Sequence, residues 1–191
     1  MSTDDPIAIF SSLFERASRD CAEPEAMVLS TVDPDGRPSA RYVLLKGVDA
    51  GGFVFYTNME SRKAKGLAAH PYAALTFYWP PATQVRIEGD VESVTDADAD
   101  AYFATRPRGS QIGAWASMQS AGMATRAELD ARIHEAEVRF KDAAVTRPPF
   151  WSGFRVVARS IEFWTRDPAR LHERILYRHA NGQWTRTLLY P

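Results

Sequence analysis

The sequence is poor in cysteine, in excess charge and in long apolar runs. Cys21 is the single cysteine, which excludes an internal disulfide and a cysteine-rich metal site. The formal net charge is −1, so the chain has no overall attraction for nucleic acid or anionic membrane. No apolar run approaches membrane-spanning length, and acidic Met1–Pro6 is unlike a signal peptide. We therefore expect a soluble cytoplasmic protein without a metal site, binding neither nucleic acid nor membrane.

The motifs of two common enzyme classes are absent as well. The sequence contains no G-x-G-x-x-G before a helix and no Walker-type loop, so NAD binding and nucleotide hydrolysis have no support. The chain has enough apolar residues to form a sizeable core, since 45% of the 191 residues are hydrophobic and 12% are aromatic. With no linker or internal repeat in view, we expect one domain over residues 1–191.

The apolar pattern predicts one amphipathic helix followed by short strands. Ile7, Phe10, Phe14 and Ala17 recur at the helical period, which predicts a helix over about residues 6–19. Turn-forming residues then separate β-rich segments, as at Asp33–Gly36. The predicted strands are Ala26–Val32, Ser39–Lys46, Phe53–Thr57, Tyr72–Trp79 and Thr83–Val94, with a short helix at Ser61–Ala69 capped by Ser61.

The second half combines helices with a C-terminal β region. We expect Thr95 to cap one helix, and the capping box Thr125–Glu128 to open another that continues through about Ala143. Strands follow at Phe154–Trp164, Ile175–His179 and Trp184–Leu189, and Asn181-Gly182 joins the last two as a hairpin. Hairpin-connected strands with inserted helices indicate a mainly β, α+β fold built on an antiparallel barrel.

Ser61-Arg62-Lys63 is the first candidate anion site. It places two cations in the first turn of a predicted helix, where each opposes the helix dipole at a cost of about 0.3–1 kcal/mol. A bound phosphate reverses that sign, because backbone N–H groups, a hydroxyl and two cations then converge on one anion. A solvated surface turn is the alternative for the triplet alone.

The segment Arg41–Lys46 is the second candidate. Its interior residues, Val43, Leu44 and Leu45, predict a strand buried on both faces. Strict alternation puts Arg41 and Lys46 on opposite faces of that strand, so one chain cannot aim both at a single ligand without a bulge or twist. Strand-end cations reaching solvent are the alternative.

Tyr102, Arg106 and Ser110 form the third candidate. Their four-residue spacing places them along one face at a helix end, with Pro107 interrupting the helix between the last two. A guanidinium fork, a phenol and a hydroxyl are suited to holding a phosphate. Ordinary helix packing is the alternative for Tyr102.

These segments, in this order, resemble the pyridoxamine/pyridoxine 5′-phosphate oxidases, which are FMN-dependent split-barrel enzymes. The resemblance extends over roughly residues 25–191. It rests on Arg41–Lys46, Tyr56-Thr57-Asn58, Ser61-Arg62-Lys63, Tyr102–Pro107, Ser110–Ser117 and Arg170–Arg174.

The resemblance implies an antiparallel FMN-binding split β-barrel, and a homodimer in which both subunits build each site, with a dimerisation and substrate region at about residues 147–191. It also implies oxidation of pyridoxamine or pyridoxine 5′-phosphate to pyridoxal 5′-phosphate, with O₂ as electron acceptor and release of hydrogen peroxide. That reaction belongs to pyridoxine biosynthesis and vitamin B6 metabolism.

The residue roles implied by the resemblance fall into three groups. The FMN contacts are Arg41, Tyr42, Val43, Leu44, Leu45, Lys46, Tyr56, Thr57, Arg62, Lys63, Gln84, Gln119, Ser120, Trp164 and Arg174. The substrate contacts are Lys46, Tyr102, Arg106, Ser110, Arg170, Leu171 and His172. Arg170 and His172 are the implied catalytic pair, orienting the substrate and assisting proton removal; we expect His172, flanked by two arginines, to be neutral.

Two alternatives stay open. One is a split-barrel FMN oxidase of another ring compound, like the phenazine-pathway oxidases, although Ser110–Trp115 matches the vitamin B6 oxidases. The other is a non-catalytic flavin- or pyridoxal phosphate-binding protein, although retention of Arg170 and His172 favours an enzyme. The sequence departs from the family pattern at Thr83, where Arg is usual, and at Thr165-Arg166, where Gln-Gly is usual. A third departure is the short N-terminal segment, which lacks the Arg- and Tyr-bearing lid segment that some members fold over the substrate.

Overall fold

The computed structural model describes residues 5–49 and 51–191, so most of Met1–Pro6 lies outside the described residues. Within these ranges the helices are α1 (Pro6–Asp20), α2 (Arg62–Ala69), α3 (Asp96–Thr105), α4 (Arg108–Ala116) and α5 (Arg126–Arg139). The strands are β1 (Ala26–Val32), β2 (Pro38–Leu44), β3 (Gly47–Asp49), β4 (Gly52–Asn58), β5 (Tyr72–Trp79), β6 (Thr83–Ser93), β7 (Trp151–Thr165), β8 (Glu173–Ala180) and β9 (Gln183–Leu188).

The strands pair antiparallel in one sheet. The order is β2-β1-β5-β6-β7-β4-β3, and the C-terminal strands extend it because β8 pairs with β7 and β9 with β8. β7 is the longest strand; its first residues pair with β4, its last residues pair with β8, and β6 lies along its other side. The predicted antiparallel β fold with helical additions is confirmed.

The main core lies between the sheet and α1. Phe10 is fully buried, and its ring centroid lies 4.9 Å from that of Phe53, 5.1 Å from that of Phe77 and 5.7 Å from that of Trp79. Burial of a side chain of this size stabilises the fold by roughly 1.5–3 kcal/mol. The helical period in the first twenty residues therefore predicted both the helix and the face that it buries.

A second apolar cluster joins α3, α4 and α5 to the start of β7. Phe103, Ile112, Phe140 and Trp151 are its largest buried members. Phe103 and Trp151 meet edge-to-face, with ring centroids 5.0 Å apart. This cluster sets the position of the segment between α3 and α4, which carries the predicted phosphate clamp.

The prediction for the strand at residues 39–46 was partly wrong. β2 ends at Leu44 and lies at the edge of the sheet in the single chain, so it is not buried on both faces. Tyr42 is 76% exposed and Leu44 is 41% exposed. A run of apolar residues predicts that its side chains are buried. It does not show whether they are buried in the core of the same chain or against the surface of another chain.

The helical boundaries also differ from the prediction. α3 ends at Thr105 and α4 begins at Arg108, so Ser110 lies on a different helix from Tyr102. Pro107 separates the two helices because proline donates no backbone hydrogen bond and restricts the residue before it. A short non-helical segment therefore separates Tyr102 from Ser110, which we expected along one helical face.

The predicted capping box of α5 and its C-terminal end were wrong. Thr125 occupies the cap position without a side-chain hydrogen bond, and Glu128 instead accepts from the backbone N–H of Ala124. The helix ends at Arg139 rather than Ala143. The guanidinium of Arg108 donates to the carbonyl oxygens of Phe140 and Ala143. These tertiary hydrogen bonds satisfy two backbone carbonyl groups that follow the end of the helix.

The C-terminal hairpin matches its prediction. Asn181 and Gly182 have φ of 52° and 75°, the left-handed conformation that a two-residue turn of this kind requires. Among the described residues, no helix combines the length and apolar character needed to cross a membrane.

Candidate active site

A cavity of about 670 Å³ opens between β2, β4, α2 and the α3–α4 segment. Eleven of the predicted site residues line it: Tyr42, Val43, Leu44, Lys46, Tyr56, Thr57, Lys63, Tyr102, Arg106, Ser110 and Gln119. Residues from segments far apart in sequence thus meet at one cavity, which is what a ligand site on this fold requires.

Lys63 forms one cationic group of this cavity. It is 8% exposed, and its Nζ donates to Thr57 Oγ1 at 3.0 Å, Ser61 Oγ at 3.2 Å and Gln119 Oε1 at 2.8 Å. All three acceptors are neutral oxygens. Burial, and secondarily the charge of Arg41, lowers the pKa of Lys63 to about 8. A buried ammonium held only by neutral acceptors is suited to receive an anion.

Ser61 precedes α2 as predicted, but its hydroxyl does not cap the helix. The side chain makes no hydrogen bond to the helix N–H groups and instead accepts from Lys63 Nζ. The first-turn N–H groups of α2 therefore gain no side-chain acceptor from Ser61. A cation and an uncapped helix N-terminus consequently lie together, as anion binding at a helix start requires.

Arg41 and Arg62 flank this group without lining the cavity. Arg62 donates to Asp33 Oδ2 from Nε at 3.0 Å and from Nη2 at 2.5 Å. Arg41 donates to the carbonyl oxygen of Leu29 at 3.0 Å and to Thr31 Oγ1 at 2.8 Å. Asp33 Oδ1 is buried with no hydrogen-bond partner. Three cations and one carboxylate therefore leave the region with excess positive charge.

Arg106 forms a second cationic group. Its Nη1 atom is buried and has no hydrogen-bond partner, and burial lowers the pKa of its guanidinium. Its guanidinium carbon lies 4.8 Å from the ring centroid of Trp151 and 5.5 Å from that of Phe103. Despite the break at Pro107, Tyr102 and Ser110 line the cavity together with Arg106. The three residues predicted as a phosphate clamp therefore meet, although by tertiary folding rather than on one helix.

Three parallel aromatic rings form part of the cavity wall. Tyr56 stacks on Tyr102 with centroids 4.1 Å apart, and Trp151 lies 5.4 Å from Tyr56 at an interplanar angle of 2°. Burial raises the pKa of both phenols, so their hydroxyls remain hydrogen-bond donors at neutral pH. Trp151 was missed by the sequence reasoning because no local motif surrounds it.

The remaining predicted residues lie elsewhere. Gln84, Trp164 and Arg174 are neighbours across β6, β7 and β8, where Gln84 pairs with Trp164 and Trp164 with Arg174. Glu162, which is buried, accepts from Arg174 Nε at 2.8 Å and from Arg86 Nη1 at 3.1 Å. None of the three predicted residues lines the cavity of the same chain, and neither do Leu45 and Ser120.

The Arg170–His172 segment is next to this second group. The ring of His172 lies 4.6 Å from that of Trp164, and its Nδ1 accepts from the backbone N–H of Asp167 at 3.1 Å. Arg170 has φ of 68°, which is strained for a residue other than glycine, and Leu171 is 71% exposed. With Nδ1 accepting, a neutral imidazole carries its proton on Nε2 and presents a donor there.

Two of the three departures from the family pattern lie together in the sheet. Thr83 and Thr165 are directly opposite each other on β6 and β7, adjacent to the Gln84–Trp164 pair. One side chain could not be lengthened here without affecting the other, since directly opposed residues are in contact range.

Comparison with known proteins gives concordant matches. Residues 14–140 match the family model described as "Pyridoxamine 5'-phosphate oxidase", and residues 151–191 match "Pyridoxine 5'-phosphate oxidase C-terminal dimerisation region". A pyridoxine/pyridoxamine 5′-phosphate oxidase of Myxococcus xanthus is 59% identical over 193 residues, covering 100% of this chain and 94% of the relative. One from Rhodospirillum rubrum is 53% identical, covering 98% and 96%.

Two solved structures share the fold. PhzG from Burkholderia lata, solved in complex with tetrahydrophenazine-1-carboxylic acid, superposes with a TM-score of 0.93 at 29% identity, covering 100% of this chain and 94% of that one. A pyridoxamine 5′-phosphate oxidase-related, FMN-binding protein from Nostoc punctiforme gives a TM-score of 0.76 at 18% identity, with both chains fully covered.

Proposed function

The chain belongs to the pyridoxamine 5′-phosphate oxidase family, and on that premise we propose that it oxidises pyridoxamine or pyridoxine 5′-phosphate to pyridoxal 5′-phosphate. FMN is the cofactor, and O₂ is the proposed electron acceptor, yielding hydrogen peroxide. One observation carries the proposal: a single cavity is lined by two cationic side chains, the buried Lys63 and the half-buried Arg106, neither of which is neutralised by a carboxylate in the described part of the chain. Two phosphate-bearing molecules account for two such groups.

The Lys63 group fits the phosphate of FMN. Lys63 supplies a buried ammonium, Arg41 and Arg62 supply further positive charge beside it, and the start of α2 supplies backbone N–H groups. The nearby carboxylate of Asp33 is compatible with a phosphate in this group, since Asp33 holds Arg62 through Oδ2 while its Oδ1 has no hydrogen-bond partner. Tyr56 and Thr57 line the adjoining wall, where a flat ring system would lie.

The Arg106 group fits the phosphate of the substrate. The side chains of Arg106, Tyr102, Ser110 and Lys46 all line the same cavity, and Nη1 of Arg106 is left without a hydrogen-bond partner. Charge-assisted hydrogen bonds to an anion are roughly twice as strong as neutral ones, which makes this set a strong anchor for a phosphate ester. A substrate anchored at its phosphate presents its ring to the flavin in a fixed orientation.

Bound FMN supplies the two-electron acceptor for the hydride that leaves the substrate, and the chain supplies binding and orientation. We assign Arg170 and His172 to orienting the substrate at its reacting carbon. His172 Nε2 is a donor in the arrangement described above, so its role there is to hold an acceptor atom of the substrate. Taking up a proton requires Nδ1 to release the Asp167 N–H.

Both groups of residues serve one site if two chains combine. The cavity group and the Gln84–Trp164–Arg174 group are separate in one chain, and residues 151–191 match the family's dimerisation region. We therefore propose a homodimer in which each FMN lies between the cavity of one subunit and the second group of its partner. The exposed Tyr42 and Leu44 on edge strand β2 fit coverage by a second chain.

The phenazine-oxidase alternative is less well supported. The structure of PhzG is 29% identical to this chain, whereas the vitamin B6 oxidases named above are 53–59% identical over almost its whole length. The non-catalytic alternative does not explain why Arg170 is kept in a strained conformation beside His172. A single domain over residues 1–191 and a cytoplasmic location stay predictions from the sequence.

Purification with a visible spectrum and a peroxide assay tests the proposal. We expect a yellow protein that releases FMN on denaturation and forms hydrogen peroxide with pyridoxine or pyridoxamine 5′-phosphate. Unphosphorylated pyridoxine is the matched control and should give far less peroxide at equal concentration. A colourless protein that fails to bind added FMN, or a flavoprotein inactive with both phosphates, would contradict the proposal.

A further inference from the structure

Arg106 differs from the arginines around the cavity that form ion pairs. Arg62 bonds Asp33, and Arg147 bonds both Asp96 and Asp100 through its guanidinium. Across residues 5–49 and 51–191, no carboxylate lies within salt-bridge distance of Arg106. Its orientation must therefore come from contacts other than ion pairs.

Aromatic faces provide those contacts. The guanidinium carbon lies 4.8 Å from the ring centroid of Trp151 and 5.5 Å from that of Phe103. Trp151 is itself fixed: it is 6% exposed, its carbonyl oxygen accepts from Arg147 Nη1 at 2.7 Å, and its ring is parallel to that of Tyr56. The ring is therefore a rigid platform rather than a mobile neighbour.

A ring face and a carboxylate hold a guanidinium with different consequences. A carboxylate takes up the N–H donors and cancels the charge, whereas a ring face attracts the cation and accepts no conventional hydrogen bond. Arg106 therefore lines the cavity with its charge uncompensated and with its Nη1 donor unpartnered. Burial that lowers the pKa of this guanidinium also indicates that its charge is poorly compensated before a ligand binds.

We propose that Trp151 is a positioning residue for Arg106, holding the guanidinium ready for a phosphate without neutralising it. The inference rests on the proposed function in placing the substrate phosphate at Arg106. By orienting Arg106, Trp151 thereby contributes to selectivity for phosphate esters over the unphosphorylated ring compounds.

Calorimetric titration of the FMN-loaded protein with inorganic phosphate tests this. We expect Trp151→Leu to weaken phosphate binding about five-fold and Trp151→Phe, which keeps a ring face, to weaken it by less than about two-fold. Phe140→Leu is the matched control, because it removes a ring from the same apolar cluster but has no contact with Arg106. FMN content, measured from the visible spectrum, should be unchanged in all three.

The decisive comparison is made in the Arg106→Ala background. If Trp151 acts through Arg106, Trp151→Leu should cause no further loss of phosphate affinity there. An equal loss in both backgrounds, or an equal loss in Phe140→Leu, would overturn the inference. Should Trp151→Leu fail to fold, Trp151→Met replaces it in the same cycle. A wild-type protein that binds phosphate through Arg106 but oxidises neither vitamin B6 phosphate would contradict the proposed function while leaving this inference intact.

Discussion

Lys63 shows at the scale of a residue how ligand binding can be coupled to protonation. In the free chain its pKa is lowered to about 8, chiefly by burial and then by the charge of Arg41. A phosphate bound beside it acts against both effects, because a nearby negative charge favours the protonated ammonium. Binding of FMN must therefore raise the pKa of Lys63, and the two equilibria are linked.

This linkage predicts the pH dependence of FMN binding. Below about pH 8 Lys63 is already protonated in the free protein, whereas above it a proton must be taken up on binding. The Kd for FMN should therefore be about ten-fold higher at pH 9 than at pH 7. The phosphate group itself, with a second pKa of about 6, stays dianionic over this range.

Fluorescence titration of the FMN-free protein between pH 7 and pH 9 measures this directly. Lys63→Arg is the control, because a guanidinium stays protonated over the whole range and should give a flat profile. A wild-type Kd that does not change with pH would show that Lys63 is not protonated in step with FMN binding.

The second residue-scale prediction concerns Arg170 and His172. Arg170→Lys keeps the charge but loses the planar fork, and His172→Ala removes the donor at Nε2. Each should lower kcat/KM by at least about ten-fold, or roughly 1.4 kcal/mol of transition-state stabilisation. FMN content should stay at the wild-type level, because the Lys63 group that holds the FMN phosphate is unchanged in both variants.

The measurement is the rate at which substrate bleaches the flavin under anaerobic conditions, which separates substrate oxidation from the reaction with O₂. Wild-type bleaching rates in both variants would indicate that Arg170 and His172 have structural roles only.

At the scale of elements, close packing of α2 against β1 fixes the Lys63 group. A Cβ added at Gly66 would lie 2.7 Å from the carbonyl oxygen of Val32, a backbone atom that cannot move aside. Val32 precedes Asp33, which holds Arg62. The absence of a side chain at Gly66 therefore sets the distance between α2 and the turn that positions its cations.

Gly66→Ala should accordingly weaken FMN binding by about ten-fold and lower the free energy of unfolding by about 1–3 kcal/mol, because α2 must shift outward. Gly109→Ala in α4 is the matched control, since a Cβ there would meet nothing within 4 Å. That control should stabilise the protein by about 0.4–1 kcal/mol. Thermal melts and FMN titrations of both variants test this, and equal behaviour of the two would contradict it.

The elements that the sequence predicted well are those determined by local chemistry. The Asn181-Gly182 turn, the strand at Ala26–Val32 and the cap at Thr95 depend on residues close in sequence, and each is present. The predicted end of α5 was wrong. The carbonyl group of Phe140, just beyond the helix, accepts a hydrogen bond from Arg108, which is 32 residues away in sequence. Local patterns cannot report such a contact.

In the candidate site, too, the residues in local motifs were predicted and those that depend on distant contacts were missed. Ser61-Arg62-Lys63 was a candidate because two cations at a helix start are unfavourable without an anion, and the family resemblance favoured an anion site over a solvated turn. Trp151 and Glu162 were missed because their importance comes from side chains that reach them from other elements. The exposure of Tyr42 and Leu44 was also unexpected, since the apolar residues of their segment predicted a strand buried within a single chain.

At the scale of the whole molecule, the chain divides its proposed site into two groups. Arg106 lines the cavity beside α3, whereas His172 lies next to Trp164 beyond the end of β7 and does not line that cavity. The central claim is therefore that a complete site needs the cavity of one subunit and the His172 group of another. A hybrid dimer distinguishes this from a site built within one chain.

The measurement is the activity of a purified hybrid of one Arg106→Ala chain and one His172→Ala chain, carrying different affinity tags, at substrate well below KM. If each site uses both chains, one site of the hybrid is fully wild type and the other carries both changes. The hybrid should then show about half of the wild-type activity, although each parent homodimer shows about a tenth or less. If each site is built within one chain, every site carries one change, and a hybrid no more active than its parents would contradict the account.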